Sequence, residues 1–172
     1  MTRDDAFSRP AAGRPAVDPD ALMEHLGHAA AEAHNEAEAE ALIGALIPLA
    51  ARLLPQIAPV ILRAAPGLIP GVAIVARNLR RSPVTRPLVR TIPTIVRRTA
   101  ASISQQVRQG RAVSPRSAVR TLARHTAQVL GSPARTVAAW RRSRFLDRRH
   151  HTRSGAAPVS RCGGACVLCG GR

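Results

Sequence analysis

The 172 residues contain no lysine and no tyrosine, only three aromatic residues (Phe7, Trp140 and Phe145) and only ten acids. Each shortage excludes something. Without lysine there is no Gly-rich phosphate loop of the kind that ends in Lys. Three rings cannot build a stacking platform for single-stranded nucleic acid. They also leave any core to aliphatic side chains and alanine. Beyond Glu40 the sole carboxylate is Asp147, which removes paired-carboxylate acid–base chemistry and hard-cation catalysis from the body of the chain. An enzyme is not expected. The three cysteines fall within the last eleven residues and form no disulfide framework for the rest. No apolar run of useful length precedes residue 41, and Arg3 is followed at once by Asp4 and Asp5. A signal peptide is therefore not expected, and the reading is a cytoplasmic protein, either free or membrane-peripheral.

What is present is arginine: 26 of them, for a formal net charge of +16. Such a charge on a small chain calls for a polyanionic partner, either an anionic membrane surface or nucleic acid. Arginine suits bidentate phosphate contact, although its exclusive use also follows from codon bias. The charges are segregated. Residues 1–40 hold nine acids against Arg3, Arg9 and Arg14, whereas residues 41–172 hold 23 arginines against Asp147. This reads as an acidic head that shields a basic body or competes for it, or else as drift among ordinary solvated helix faces.

The organisation reads as all-α. Residues 1–18 lack periodicity and read as disordered. Asp18-Pro19 supplies an N-cap and a first-turn proline for an acidic Ala/Glu helix over 19–41. Residues 42–81 are the most patterned. Prolines at 48, 55, 59, 66 and 70 mark an eleven-residue period over Leu46–Gln56, Ile57–Gly67 and Leu68–Asn78. At 100° per residue the prolines fall within about 30° of one line, with Arg52, Arg63, Arg77 and Arg81 close by. Leu46, Leu53, Leu54, Ile57, Ile61 and Leu68 take the opposite side, and form the candidate apolar contact face. Either the prolines sit harmlessly on the polar face of continuous helix, or they break it at Ala65-Pro66-Gly67 and Ile69-Pro70-Gly71. The array can serve as core, lie in a membrane interface, or span a bilayer with Arg63 near its middle.

Residues 86–149 read as three basic helices. Arg86-Pro87 opens the first, which stops at Gly110, with Pro93 separating its first turns. Ser114-Pro115 opens the second and Ser132-Pro133 the third, which Val137, Trp140 and Phe145 are expected to anchor. The tight turn over Leu130–Pro133 suits a helix-turn-helix, but Arg135, Thr136, Arg141, Arg142 and Arg144 suit phosphate rather than base contact. The candidate polyanion contacts are Arg97, Arg98, Arg120, Arg124, Arg135, Arg141, Arg142, Arg144, Arg148 and Arg149.

Residues 150–172 read as a flexible Gly/Cys tail. Cys162, Cys166 and Cys169 are spaced C-x3-C-x2-C, and His150 or His151 could complete a tetrahedral zinc site. Otherwise no cofactor is expected. His25 and His28 lie three apart on one helix face and read as surface residues. The expected function is non-catalytic: contact with an anionic membrane surface or a partner protein through the aliphatic array. The alternatives are a non-specific nucleic-acid-binding or packaging protein and a structural subunit, including a homo-oligomer, that buries its aliphatic face against neighbours.

Overall fold

Asp18 caps the first helix as its neighbour Pro19 suggests, its carboxylate accepting the Asp20 backbone N–H at 3.1 Å. The structure is a computed structural model, and it describes residues 18–153. Of the stretch read as disordered over residues 1–18, residues 1–17 lie outside the described residues, as do 154–172 of the tail; residues 150–153, read as part of that tail, instead continue the last helix. Seven α-helices follow one another with no strand among the described residues: α1 Pro19–Glu32, α2 Glu36–Gly44, α3 Leu46–Leu53, α4 Ala58–Arg80, α5 Ile92–Arg108, α6 Pro115–Leu130 and α7 Pro133–Arg153. Short 3-10 turns at Pro55–Ile57 and Arg86–Thr91 lead into α4 and α5. The fold is all-α.

The acidic region is two helices, not one. Chain direction changes at Ala33–Asn35, where Asn35 caps α2 by accepting the Glu38 N–H at 2.8 Å. The break is held from outside. Arg86 donates to the carbonyls of Ala31 and Ala33 at 2.8 and 2.7 Å, and Arg80 to those of Ala30 and Ala33. These carbonyls are ones a helix end leaves without partners, and positive charge there complements the helix dipole.

The proline array resolves into α3, the turn at Pro55–Ile57, and a 23-residue α4 that runs unbroken through Pro66 and Pro70. Both prolines are exposed, so the carbonyls they leave unpaired in the preceding turn face water, where the loss is smallest. The glycines after them serve a different purpose. A Cβ on Gly67 would stand 3.1 Å from Val119, and one on Gly71 3.0 Å from Leu122. The Pro-Gly pairs that read as turns are thus proline toward solvent and glycine toward α6, which the missing side chains let approach closely.

Residues 86–109 divide as the position of Pro93 suggests: a 3-10 turn, then α5 with Pro93 in its first turn. Gly110 follows with φ +69°, a left-handed conformation that favours glycine. Ser114 and Ser117 form a reciprocal capping box at the start of α6. The core is aliphatic and Ala-rich, centred on Ile43, Leu46, Ile61, Leu68, Ile92, Ile95 and Ile103. α1 packs against α7, α2 and α3, while α4 packs against α6, α2 and α3.

The anchors of α7 differ from the expectation. Val137 and Phe145 are 46 % and 61 % exposed, and Trp140 is half-buried beneath the Arg144 guanidinium, 4.7 Å from its ring. Ala139, Ser143 and Leu146 are buried instead. They recur at four and three residues and are mostly small, so α7 lies close against its neighbours.

Candidate polyanion-binding surface

Segregated charge in the sequence becomes docked charge in the fold. Glu36 and Glu40, one turn apart on α2, both bind Arg77 of α4, and Glu32 at the end of α1 accepts from Arg90 at 2.9 Å. Asp20 sits between two helices. It accepts from Arg97 of α5 at 2.8 Å and also binds Arg142 of α7. Asp18 lies 3.9 Å from Arg149. The head therefore shields the body within one chain.

Glu24, one turn on from Asp20, is fully buried. Its oxygens lie 3.7 Å from Arg97 and 3.9 Å from Arg142, and neither makes a hydrogen bond. Burial pushes its pKa up to about 7, against the pull of the Ser143 hydroxyl, Arg97 and Arg142, while the Asp20 carboxylate adds to the rise. Nothing in an Ala/Glu helix distinguishes this glutamate from its solvated neighbours. Only its place one turn after Asp20, on the face that meets two arginines, does so.

The ten candidate arginines separate into two groups. Arg97, Arg142 and Arg149 engage the acidic segment. Arg98, Arg120, Arg124, Arg135, Arg141, Arg144 and Arg148 are exposed, and no carboxylate contacts them among the described residues. Arg135 and Arg148 make long bonds to the carbonyls of Gln128 and Arg144. Residues 92–146 contain no acid at all. On α6, Arg116, Arg120 and Arg124 recur every fourth residue on the exposed side, the spacing that stacks side chains along one helix face.

The candidate apolar contact face is mostly interior. Leu46, Ile57, Ile61 and Leu68 are buried in the core, and Leu53 and Leu54 are half-buried against it. Of the core, interfacial and spanning readings of the array, this side takes the place of core: α3 and α4 pack against each other, α3 also against α1 and α5, and α4 against α6. The outward side of α4 is apolar too. Leu62 and Ile74 are 51 % and 54 % exposed, and Ile69 is 37 % exposed. Pro59, Pro66 and Pro70 lie among them, and Arg63 is the only charge before Arg77. The stretch Pro55–Arg80 is long and apolar enough to cross a membrane, and only 28 % of its most apolar window is buried. These residues flank the proline line of the helix, the side that the arginines there mark as facing water.

Of the candidate metal ligands, Cys162, Cys166 and Cys169 lie outside the described residues. His150 and His151 meet His25 instead, around Asp147. An open polar groove of about 530 Å³ between α5 and α6 is lined by Ser102, Gln105, Gln109, Arg111, Thr121 and Arg124. There Ser102 Oγ lies 2.7 Å from His125 Nε2. Burial, reinforced by Arg124 and opposed by the Gln128 side chain, holds the His125 pKa below its usual value. Among the described residues no carboxylate is paired with His125, the partner a Ser-His-acid triad would need. No protein-family model matches the chain, and no match is found among curated proteins or solved structures.

Proposed function

We propose that the protein is a non-catalytic, peripheral binder of anionic membrane surfaces. The observation that carries this reading is the adjacency of α4 and α6. The outward side of α4 exposes Leu62, Ile69 and Ile74. Beside it, α6 exposes Arg116, Arg120 and Arg124. An interfacial helix needs apolar groups that reach the acyl boundary, with cations beside them at headgroup level. Each arginine near an anionic leaflet contributes about 1 kcal/mol. The prolines within α4 add apolar area at headgroup depth, where water still reaches the carbonyls that Pro66 and Pro70 leave unpaired. Docking of α1 and α2 neutralises only part of the positive charge; Arg98, Arg120, Arg124, Arg135, Arg141, Arg144 and Arg148 have no carboxylate against them among the described residues.

Non-specific nucleic-acid binding is the competing reading, and it uses the arginines alone. The two are separated by offering the protein duplex DNA and vesicles containing roughly one-third phosphatidylserine, each at about 50 and 500 mM salt. The membrane reading expects vesicle binding that persists in part at the higher salt. DNA binding that exceeds vesicle binding at low salt, with both lost at high salt, would replace it with the nucleic-acid reading.

A further inference from the structure

Asp147 is the only carboxylate after residue 40, and it stands in a helix flanked by Arg144, Arg148 and Arg149. Its ion-pair partners among the described residues are nevertheless all imidazoles. Its Oδ1 lies 3.1 Å from His25 Nδ1 and 3.6 Å from His151 Nε2, and its Oδ2 lies 3.8 Å from His28 Nδ1. The ring of His150 stacks on that of His25 at 4.5 Å. Three histidines from two helices thus converge on one carboxylate, and a fourth stacks on one of them. On α7, Asp147 and His151 are four residues apart and share a face; α1 brings His25 across to them.

We propose that His25, Asp147 and His151 bind a divalent transition-metal ion of the zinc, cobalt or nickel type. One potential ligand atom from each lies within 4.8 Å of the other two. A tetrahedral zinc with bonds of about 2.0–2.1 Å sets its ligand atoms about 3.4 Å apart. The separations of 3.1 and 3.6 Å from the carboxylate bracket that value. Two imidazoles and one carboxylate select against calcium and magnesium, which take oxygen-rich sets, and favour borderline metals. Next to these ligands, His28 is placed to orient the carboxylate, the role of an outer partner at many metal sites. His150 is placed as a fourth ligand or as a wall on the open side. Because the ligands come from α1 and from the end of α7, a bound metal ties the acidic segment to the helix carrying Arg142 and Arg149.

The test is a calorimetric titration of the full chain with zinc chloride after removal of metal by a chelator. Cys162, Cys166 and Cys169 are changed to Ser so that the tail cannot contribute thiolates. The expected result is one zinc per chain, with His25→Ala, Asp147→Asn and His151→Ala each weakening binding by at least about tenfold. His34→Ala, an exposed histidine outside the cluster, leaves it unchanged. His151 is exposed on the last turns of α7, so its removal tests binding without disturbing the core; circular dichroism of each variant confirms the helix content. Absence of binding by the Cys-free chain would overturn the proposal. So would binding that His25→Ala and His151→Ala leave intact, or that His34→Ala weakens equally.

Discussion

Arg97 Nη1 stands 2.8 Å from Asp20 Oδ1 across 77 residues of sequence, and the other oxygen of the same carboxylate binds Arg142. One aspartate in the first turn of α1 thereby joins α1, α5 and α7. Each partner is half-exposed, so the pairs add modestly to stability. Their larger effect is on which arginines an outside polyanion can reach.

Release of those arginines strengthens binding to anionic surfaces. The double change Asp18→Asn and Asp20→Asn keeps a capping side chain at position 18, removes the carboxylate beside Arg149, and leaves the buried Glu24 as the carboxylate facing Arg97 and Arg142. Affinity for phosphatidylserine vesicles at low salt is expected to rise roughly three- to tenfold, given about 1 kcal/mol per basic residue at a fully engaged surface. Equilibrium binding to vesicles measures it, with neutral vesicles as the control.

Glu24 makes stability depend on pH in an unusual direction. The folded chain holds the Glu24 proton up to about pH 7, whereas the unfolded chain releases it near the ordinary glutamate value of 4.5. Its contribution is therefore present in full below pH 4.5 and is lost as pH rises to 7. Arg97, Arg142 and Ser143 face it from α5 and α7, and Asp20 from its own helix; burial outweighs the favourable partners. Glu24→Gln is expected to raise unfolding free energy above pH 7 by on the order of 3 kcal/mol and to flatten the decline between pH 4.5 and 7. Urea unfolding at several pH values, in the presence of a chelator, reads this directly.

Close helix approach gives a second stability test. A Cβ on Gly27 would stand 2.6 Å from Cγ of Pro93, a ring that cannot swing aside. Gly27→Ala is expected to cost about 1–3 kcal/mol through overpacking. At Gly44 the nearest atom is Ile69 Cγ2 at 3.7 Å, an ordinary contact. Gly44→Ala, in the last turn of α2, is expected to be neutral or to stabilise by about 0.4–1 kcal/mol. Thermal melts of the two variants separate these outcomes.

Local signals carried most of the fold. Asp18-Pro19, Ser114-Pro115 and Gly110 act within a few residues, and each element begins or ends where its chemistry places it. Segregation of acid from arginine also survived into structure, because opposite charges on adjacent helices find one another. What was not legible depends on tertiary proximity. Pro66-Gly67 reads as a turn until α6 is known to lie against the glycine. Ser143 reads as polar surface until α7 is seen to bury it where α1 brings Glu24. Val137 and Phe145 read as anchors by size, yet the close approach of α7 selects Ala139 and Ser143. His25 and Asp147 are 122 residues apart, and no spacing rule connects them.

The central claim is that the outward side of α4 touches the membrane while neighbouring arginines hold it there. Its most direct measurement is vesicle co-sedimentation of Leu62→Asp with Ile74→Asp, at about 500 mM salt where exposed charge contacts are largely screened. Both residues are more than half exposed, so the folded core is retained. The account predicts that the native chain still binds phosphatidylserine vesicles under these conditions and that the double variant does not. Equal binding by the two proteins, or complete release of the native chain at that salt, would contradict it.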